Sequence, residues 1–296
     1  MTTHKILTIP LILFWLVYAQ IAISQDEVKI ESTQITDQIY MLTGNGGNLG
    51  LFIGQDGTFL IDDQFAPLTE KIITEVKAVG GDSPKFLINT HYHGDHTGGN
   101  ENLGQGGTLI VSHDNVRDRL RNGAFIREFN MKMEAVAPAG LPVVTFSEDI
   151  SFHLNGDTVH AVHVPHSHTD GDVIIHFSAA NVIHGGDIIF SGFYPFIDVS
   201  HGGSIKGMIN GVKLIMSLSD ENTKIIPGHG PLTNKAELAN YLTMLETAYE
   251  RLRKLKADGK TAREAIDAKP LADLEEEWGD GLFNGDKWIE IIYSGV

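Results

Sequence analysis

The chain has 296 residues, 42% of them apolar, and sets 22 basic against 38 acidic side chains for a formal charge of -16. That apolar content supports a packed core and excludes a disordered chain; the acidic balance, with no basic patch, argues against nucleic acid and anionic membrane surfaces as partners. There is no cysteine, which excludes disulfides, thiolate metal ligands, a cysteine nucleophile and a lipoprotein anchor.

The N-terminus reads as a processing signal. Lys5 is followed by a mostly apolar run from Ile6 to Ile23, and Ala22-Ile23-Ser24 offers small residues for cleavage before Gln25. Residues 1–24 are therefore expected to be a signal peptide and 25–296 one domain, placed in the periplasm or secreted, with no stable membrane insertion after cleavage. From Val28 to Asp63 short apolar runs (Gln38–Leu42, Leu49–Ile53, Thr58–Ile61) alternate with glycine-rich turns and predict strands. Pro67–Val79 has helical periodicity and stops at Gly80-Gly81. Phe86–Asn89 and Leu109–Ser112 predict buried strands, and Asn115–Phe129 a helix. Strand character returns at Val143–Phe146, Ile150–His153, Thr158–Val164, Val173–Phe177 and Asn181–His184. Ser204–Leu218 predicts a helix and Lys224–Ile226 a strand. Asn234–Lys256 predicts a long helix, and shorter ones follow at Thr261–Ala268 and Lys287–Ile292. The basic run Arg251–Lys256 alternates with apolar residues and reads as a solvated helix face. Strands then helices, twice over, predict two packed sheets with helices outside.

Chemistry concentrates in His91-Tyr92-His93-Gly94-Asp95-His96, just past a strand end. Imidazole and carboxylate suit zinc and related divalent metals. In an extended segment residues 91, 93 and 95 point to one side; a turn past Gly94 would let Asp95 and His96 face elsewhere. Two adjacent metals fit so tight a run better than one. Three more segments put a ligand type after an apolar strand: His168, Asp187 beside Gly185-Gly186, and His229 in Pro227-Gly228-His229-Gly230. Loops at strand ends are where such folds assemble sites.

These residues, with Leu60-Ile61-Asp62 ahead of them, resemble the ordered motifs of the metallo-β-lactamase superfamily over roughly Ile39 to Leu232. The resemblance implies an α/β (α+β) fold, the αββα sandwich, with metals in a groove at one edge of the sheets. It implies His91, His93 and His168 on a first metal, Asp95, His96 and His229 on a second, Asp187 bridging both, and Asp62 orienting a ligand histidine. Two Zn²⁺ are the implied cofactors, with iron or manganese as alternatives. A hydroxide shared by the metals would attack a carbonyl carbon or a phosphorus or sulfur centre, since metal binding brings the pKa of water from ~15.7 towards ~7. Asp95 could also take a proton from that water.

The resemblance narrows the substrate less than the reaction. The familiar secreted lactamases carry a cysteine on the second metal and a lysine three residues later; here Asp187 and Phe190 hold those places. The expectation is a small-molecule hydrolase that opens a cyclic amide or ester, with a real but modest β-lactamase activity, against lactonase, aryl-esterase or phospho- and sulfo-esterase alternatives of the same fold. Iron-loaded oxidoreductase chemistry and a non-catalytic metal protein are further readings. Asn48, in the glycine-rich loop 43–50, and Tyr194 are expected to contact substrate, with Phe193 and Phe196 lining the pocket. That loop reads either as a mobile flap or as a tight turn. His160 and His163 are expected to be structural, His166 to sit at the rim and His184 to be buried.

Overall fold

The computed structural model describes residues 28–296; the expected signal peptide lies outside the described residues. Seven strands form the first sheet: β1 (Glu31–Gln34), β2 (Ile39–Thr43), β3 (Leu49–Gly54), β4 (Gly57–Ile61), β5 (Phe86–Ile88), β6 (Leu109–His113) and β9 (Val144–Phe146). A separate hairpin pairs β7 (Ala124–Ile126) with β8 (Met131–Met133). Six strands form the second sheet: β10 (Asp149–Leu154), β11 (Asp157–His163), β12 (Val173–Phe177), β13 (Val182–His184), β14 (Lys224–Ile226) and β15 (Thr233–Asn234). The main helices are α1 (Thr69–Ala78), α2 (Gly94–Thr97), α3 (Asn100–Gln105), α4 (Asp114–Asn122), α5 (Ile205–Leu218), α6 (Lys235–Ala257), α7 (Ala262–Asp267), α8 (Glu275–Trp278) and α9 (Gly285–Ile292).

Strand parity sorts the side chains into layers. Phe52, Phe59, Ile61 and Ile88 face Val159, Ile175, Phe177 and Val182 in the space between the sheets. Their alternate neighbours Leu51, Leu60 and Leu87 face outward onto Ile72 and Val76 of α1. On the far side Ile174, Ile183 and Ile225 face outward onto Val212 and Ile215 of α5 and Leu245 of α6. Phe52 meets Phe177 edge-on at 5.2 Å across the interior. Burial on both faces explains why these strands read as continuous apolar runs. The layers are helix, sheet, sheet, helix, the αββα sandwich the sequence implied.

One departure matters for function. The helix expected over Asn115–Phe129 ends at Asn122. Gly123 has φ 74°, and a Cβ there would stand 2.6 Å from the Met133 carbonyl oxygen. The chain then turns back as the β7–β8 hairpin through Asn130, whose φ is 48°, a left-handed geometry that asparagine tolerates. Among the described residues no helix is long and apolar enough to cross a membrane.

Pairing of β4 with β5 and of β13 with β14 is parallel. The segments that follow these four strands therefore emerge at one edge of the sandwich. They carry Asp62, the His91–His96 run, Asp187 and His229.

Candidate metal centre

β5 ends at Ile88, so His91 and His93 sit on the irregular stretch beyond it. His93 is still extended (φ -63°, ψ 149°), and α2 begins at Gly94. The helical turn carries Asp95 and His96 away from the line of His91 and His93. The loop between β11 and β12 brings His168, and those after β13 and β14 bring Asp187 and His229. Ligand atoms of His91, His93, His168 and Asp187 lie within 4.8 Å of one another, as do those of Asp95, His96 and His229.

Asp187 joins the two groups. Its Oδ2 is 3.7 Å from His91 Nε2, 3.4 Å from His168 Nε2 and 3.4 Å from His229 Nε2, and its Oδ1 is 3.1 Å from His96 Nε2. Asp95 Oδ2 lies 3.3 Å from His229 Nε2 and 3.6 Å from His96 Nε2. Such convergence needs close backbone approach. A Cβ on Gly228 would stand 2.0 Å from Asp187 Oδ1, and one on Gly47 2.0 Å from His96 Cε1.

The outward nitrogen of four histidines is anchored, which fixes tautomers and turns lone pairs inward. His168 Nδ1 donates to the Phe196 carbonyl at 2.8 Å. His96 Nδ1 donates to Asp62 Oδ2 at 2.8 Å. Asp62 also accepts from Thr90 N and Thr90 Oγ1, both at 2.7 Å. With its proton given to Asp62, Thr90 Oγ1 accepts from His91 Nδ1 at 3.1 Å. His93 Nε2 donates to Asp198 Oδ2 at 3.1 Å, and Tyr92 Oη donates to the same oxygen at 2.5 Å.

Electrostatics divide along the same lines. Burial lowers the pKa of His91 well below the usual imidazole range and brings His168 down to about 4. Burial opposes protonation of His96 too, but Asp187, Asp95 and Asp62 raise its pKa well above normal. His229 rises to about 9 against the same burial, through Asp187 and Asp95. Burial would raise Asp187; His96, His229, His91 and His168 instead hold it well below the carboxylate range. Asp95 falls to about 2 against burial, through His96 and His229.

The donor set fits a divalent metal. His93 Nδ1 lies 3.1 Å from His91 Nε2 and 2.9 Å from His168 Nε2, an arrangement of facing lone pairs that calls for a cation between them. Asp187 Oδ1 is buried with no hydrogen-bond donor. Nitrogen and carboxylate oxygen with no thiolate is a set that zinc accepts and that iron and manganese also tolerate.

Beside the centre lies a cavity of about 450 Å³, lined by Asp95, Asp187, His229 and a largely apolar wall. Phe193 and Phe196 line it as expected. Two other expectations are corrected. Asn48 is buried, and its amide donates to the carbonyls of Pro227 (3.0 Å) and Gly230 (2.8 Å), so it ties loops together and does not line the cavity. Tyr194 is wholly buried and stacks on Trp288 at 4.5 Å, behind the cavity. The 43–50 loop is pinned by Gly47 N to Asp95 O (3.1 Å) and Asn48 N to Gly228 O (2.7 Å), while Asn45 and Gly46 reach the cavity. His160 is paired with Asp149 at 3.0 Å, His163 stacks on His113, His166 is exposed, and His184 is buried against Asn48 O. Asp198, Tyr92 and the β7–β8 hairpin were missed. Asp198 had a weak signal, because it lies two residues past Phe196, which was expected to line the pocket.

The sequence profile of the metallo-beta-lactamase superfamily matches residues 42–230, a span that holds every residue of the centre. The chain belongs to the metallo-beta-lactamase superfamily. A hydroxyacylglutathione hydrolase of Pelagibacter ubique (strain HTCC1062) is 26% identical over 147 residues, 49% of this chain and 51% of that protein. The chain thus spans about half the length of that curated relative. Among solved structures, a metallo-beta-lactamase from Pontibacter korlensis superposes with a TM-score of 0.61 at 19% identity, covering 74% of this chain and 99% of that one. The sec-alkylsulfatase Pisa1 from Pseudomonas sp., described as stereoselective and inverting, has a TM-score of 0.61 at 14% identity, covering 80% of this chain and 45% of its own. At such identities these likenesses establish the fold. Members of the superfamily are mainly metal-dependent hydrolases, and this chain keeps a metal-binding His/Asp cluster.

Proposed function

We propose that this protein is a two-zinc hydrolase that opens a cyclic amide or ester. The observation that carries the reading is Asp187, whose carboxylate reaches histidines of both ligand groups. His91, His93 and His168 would hold one ion, Asp95, His96 and His229 the other, and Asp187 both. Bound there, two divalent ions supply Lewis acidity and make water acidic enough, with a pKa near ~7, to act as a nucleophile at neutral pH. The chain supplies the rest. Asp95 exposes 26% of its side chain towards the cavity and is the carboxylate placed to accept a proton from attacking water at Oδ2. Phe190 lies flat against His229 (ring centroids 5.1 Å apart, 20° between planes), which fixes that imidazole and keeps bulk water off it.

Zinc-loaded protein should contain close to two zinc per chain by elemental analysis and should turn over members of a panel of chromogenic cephalosporin, lactones and aryl esters. Two bound zinc with no turnover of any class would overturn the reading. Lactone or ester hydrolysis is favoured over β-lactam hydrolysis by one observation: among the described residues no lysine or arginine lines the cavity to hold a drug carboxylate. Export is proposed from the leader-like residues 1–24 alone. Sequencing the mature protein should return Gln25 as its first residue, and retention of Met1 would refute it.

A further inference from the structure

We propose that the cavity selects uncharged esters or lactones bearing an extended apolar acyl or aryl group, with Phe129, Met131 and Leu282 setting that preference. The inference rests on the hydrolase reading and adds the substrate class.

The cavity has two unlike ends. One presents His93, Asp95, Asp187 and His229; the other is built by the β7–β8 hairpin, the loop 193–196 and Leu282. Nine of the sixteen lining residues are apolar, and among the described residues the wall away from the ligand cluster carries no lysine or arginine, so an anionic tail laid along it would lose its hydration with no cation to replace it. The chain's formal charge of -16 further disfavours the approach of an anion. Phe129 meets Phe196 edge-on at 4.8 Å and stacks over Phe283 at 5.9 Å. Phe196 in turn lies 5.6 Å from the His168 ring, and its carbonyl anchors that ring. The apolar wall therefore runs without a break from solvent to the ligand cluster. Phe129, Met131 and Leu282 remain 44%, 42% and 55% exposed at the mouth. Clustered large apolar side chains left wet beside a site mark a surface completed by a ligand, and a cavity of about 450 Å³ is within the range of small-molecule pockets.

The reaction would add water across the acyl C–O bond. The water oxygen forms the new bond to the acyl carbon, the alkoxide leaves and takes up a proton from that water, and no oxidant or reductant is required. A growing acyl chain would displace water from the hairpin wall. Each methylene buried should raise kcat/KM by up to about fourfold until the wall is covered.

The experiment uses the zinc-loaded full chain with p-nitrophenyl esters from acetate to octanoate, and p-nitrophenyl hemisuccinate as an anionic counterpart of the butyrate. The expected result is a kcat/KM that climbs with chain length and falls at least about tenfold from butyrate to hemisuccinate. Phe129→Ala should cost octanoate more than acetate, and Leu282→Ser, at a more exposed position, should flatten the series in the same sense without disturbing packing. In parallel, calorimetry should show unreactive methyl alkyl ketones binding more tightly as their chains lengthen. A flat ester series, or hemisuccinate equal to butyrate, overturns the proposal. If neither these esters nor any lactone or cephalosporin of the panel reacts but ketone binding still strengthens with length, the hydrolase reading fails and the apolar selection stands. If the ketones show no such trend, the selection itself is refuted, and sedimentation of the protein with neutral lipid vesicles would then assign the exposed wall to a membrane surface.

Discussion

The side chains of His91, His93 and His168 are at most 6% exposed, whereas those of Asp95 and His229 are 26% and 23% exposed. The buried trio is held from behind by three separate acceptors, Thr90 Oγ1, Asp198 and the Phe196 carbonyl. The open group leans on Asp62 behind His96, on Phe190 flat against His229 and on contacts among its own members. Both share Asp187. The difference teaches that one half of the centre is preorganised by the protein interior, and the other is left open to the cavity. A chelator should therefore strip the open half first, and zinc should leave in two resolved steps.

Asp187→Ala tests the sharing and should have the largest effect. Residues that merely support ligands carry about 10–100-fold in affinity or activity, and losing a carboxylate common to both halves must exceed that. Activity should fall by more than about 100-fold, with zinc content well below that of His96→Ala, which should empty only the open half. Equal zinc in the two variants would break the comparison.

Asp198→Asn and Asp62→Asn then sharpen it. Each should weaken its own half by about 10–100-fold, with a smaller carry-over from Asp62→Asn to the buried half through Thr90 and His91, so competition with a coloured chelator should show chiefly the early step moving for Asp62→Asn and the late step alone for Asp198→Asn. The Asp198 carboxylate is held far below the usual carboxylate range: burial opposes this, but donors from His201, His93 and Tyr92 prevail. Removing one donor with Tyr92→Phe should cost about 1.5–3 kcal/mol of stability, the worth of a hydrogen bond to a charged group. Denaturant unfolding of the metal-free protein measures it, and an unchanged midpoint would show that the buried network does not support the first half.

The sequence shows the two halves unequally. The His91–His96 run, His168, Asp187 and His229 are visible because each follows an apolar strand, and strand parity made both sheets readable. Of the supports only Asp62, behind His96, came through, and that from the family resemblance; those of the buried half are not visible. Tyr92 and Asp198 are 106 residues apart, and only the packed fold joins them. Asn48 looked available in a glycine-rich loop because nothing local reveals its partners at Pro227 and Gly230. The substrate wall was hidden by apparent helical periodicity over Asn115–Phe129. Gly123 and Asn130, both at positive φ, break that helix into a hairpin, and neither residue alone distinguishes a helix end from a mild interruption.

The smallest expected effect lies behind the buried half. His113 and His163 stack at 3.7 Å with 16° between their rings. His163 Nδ1 donates to the Asp172 carbonyl, and the Asp172 carboxylate accepts from Thr169 N and Oγ1, next to His168. Asn115 N donates to His113 Nδ1, and His113 Nε2 donates to Ser147 O. A second proton on His113 would therefore oppose the Asn115 N–H that begins α4, and two charged rings would face each other. Burial lowers both pKa values, His113 adds to the lowering at His163, and Asp114 and Asp170 offset it only in part. The unfolded chain, with ordinary imidazoles near ~6.5, then binds more protons than the folded chain below that pH. The stabilisation is complete above about pH 6.5 and is lost as pH falls from there towards the lowered folded values. Denaturant midpoints should drop between pH 7.5 and 5.5, and His163→Gln should shrink that drop while leaving the pH 7.5 zinc content unchanged. A drop of the same size in the variant would place the acid sensitivity elsewhere and leave the backing of His168 indifferent to pH.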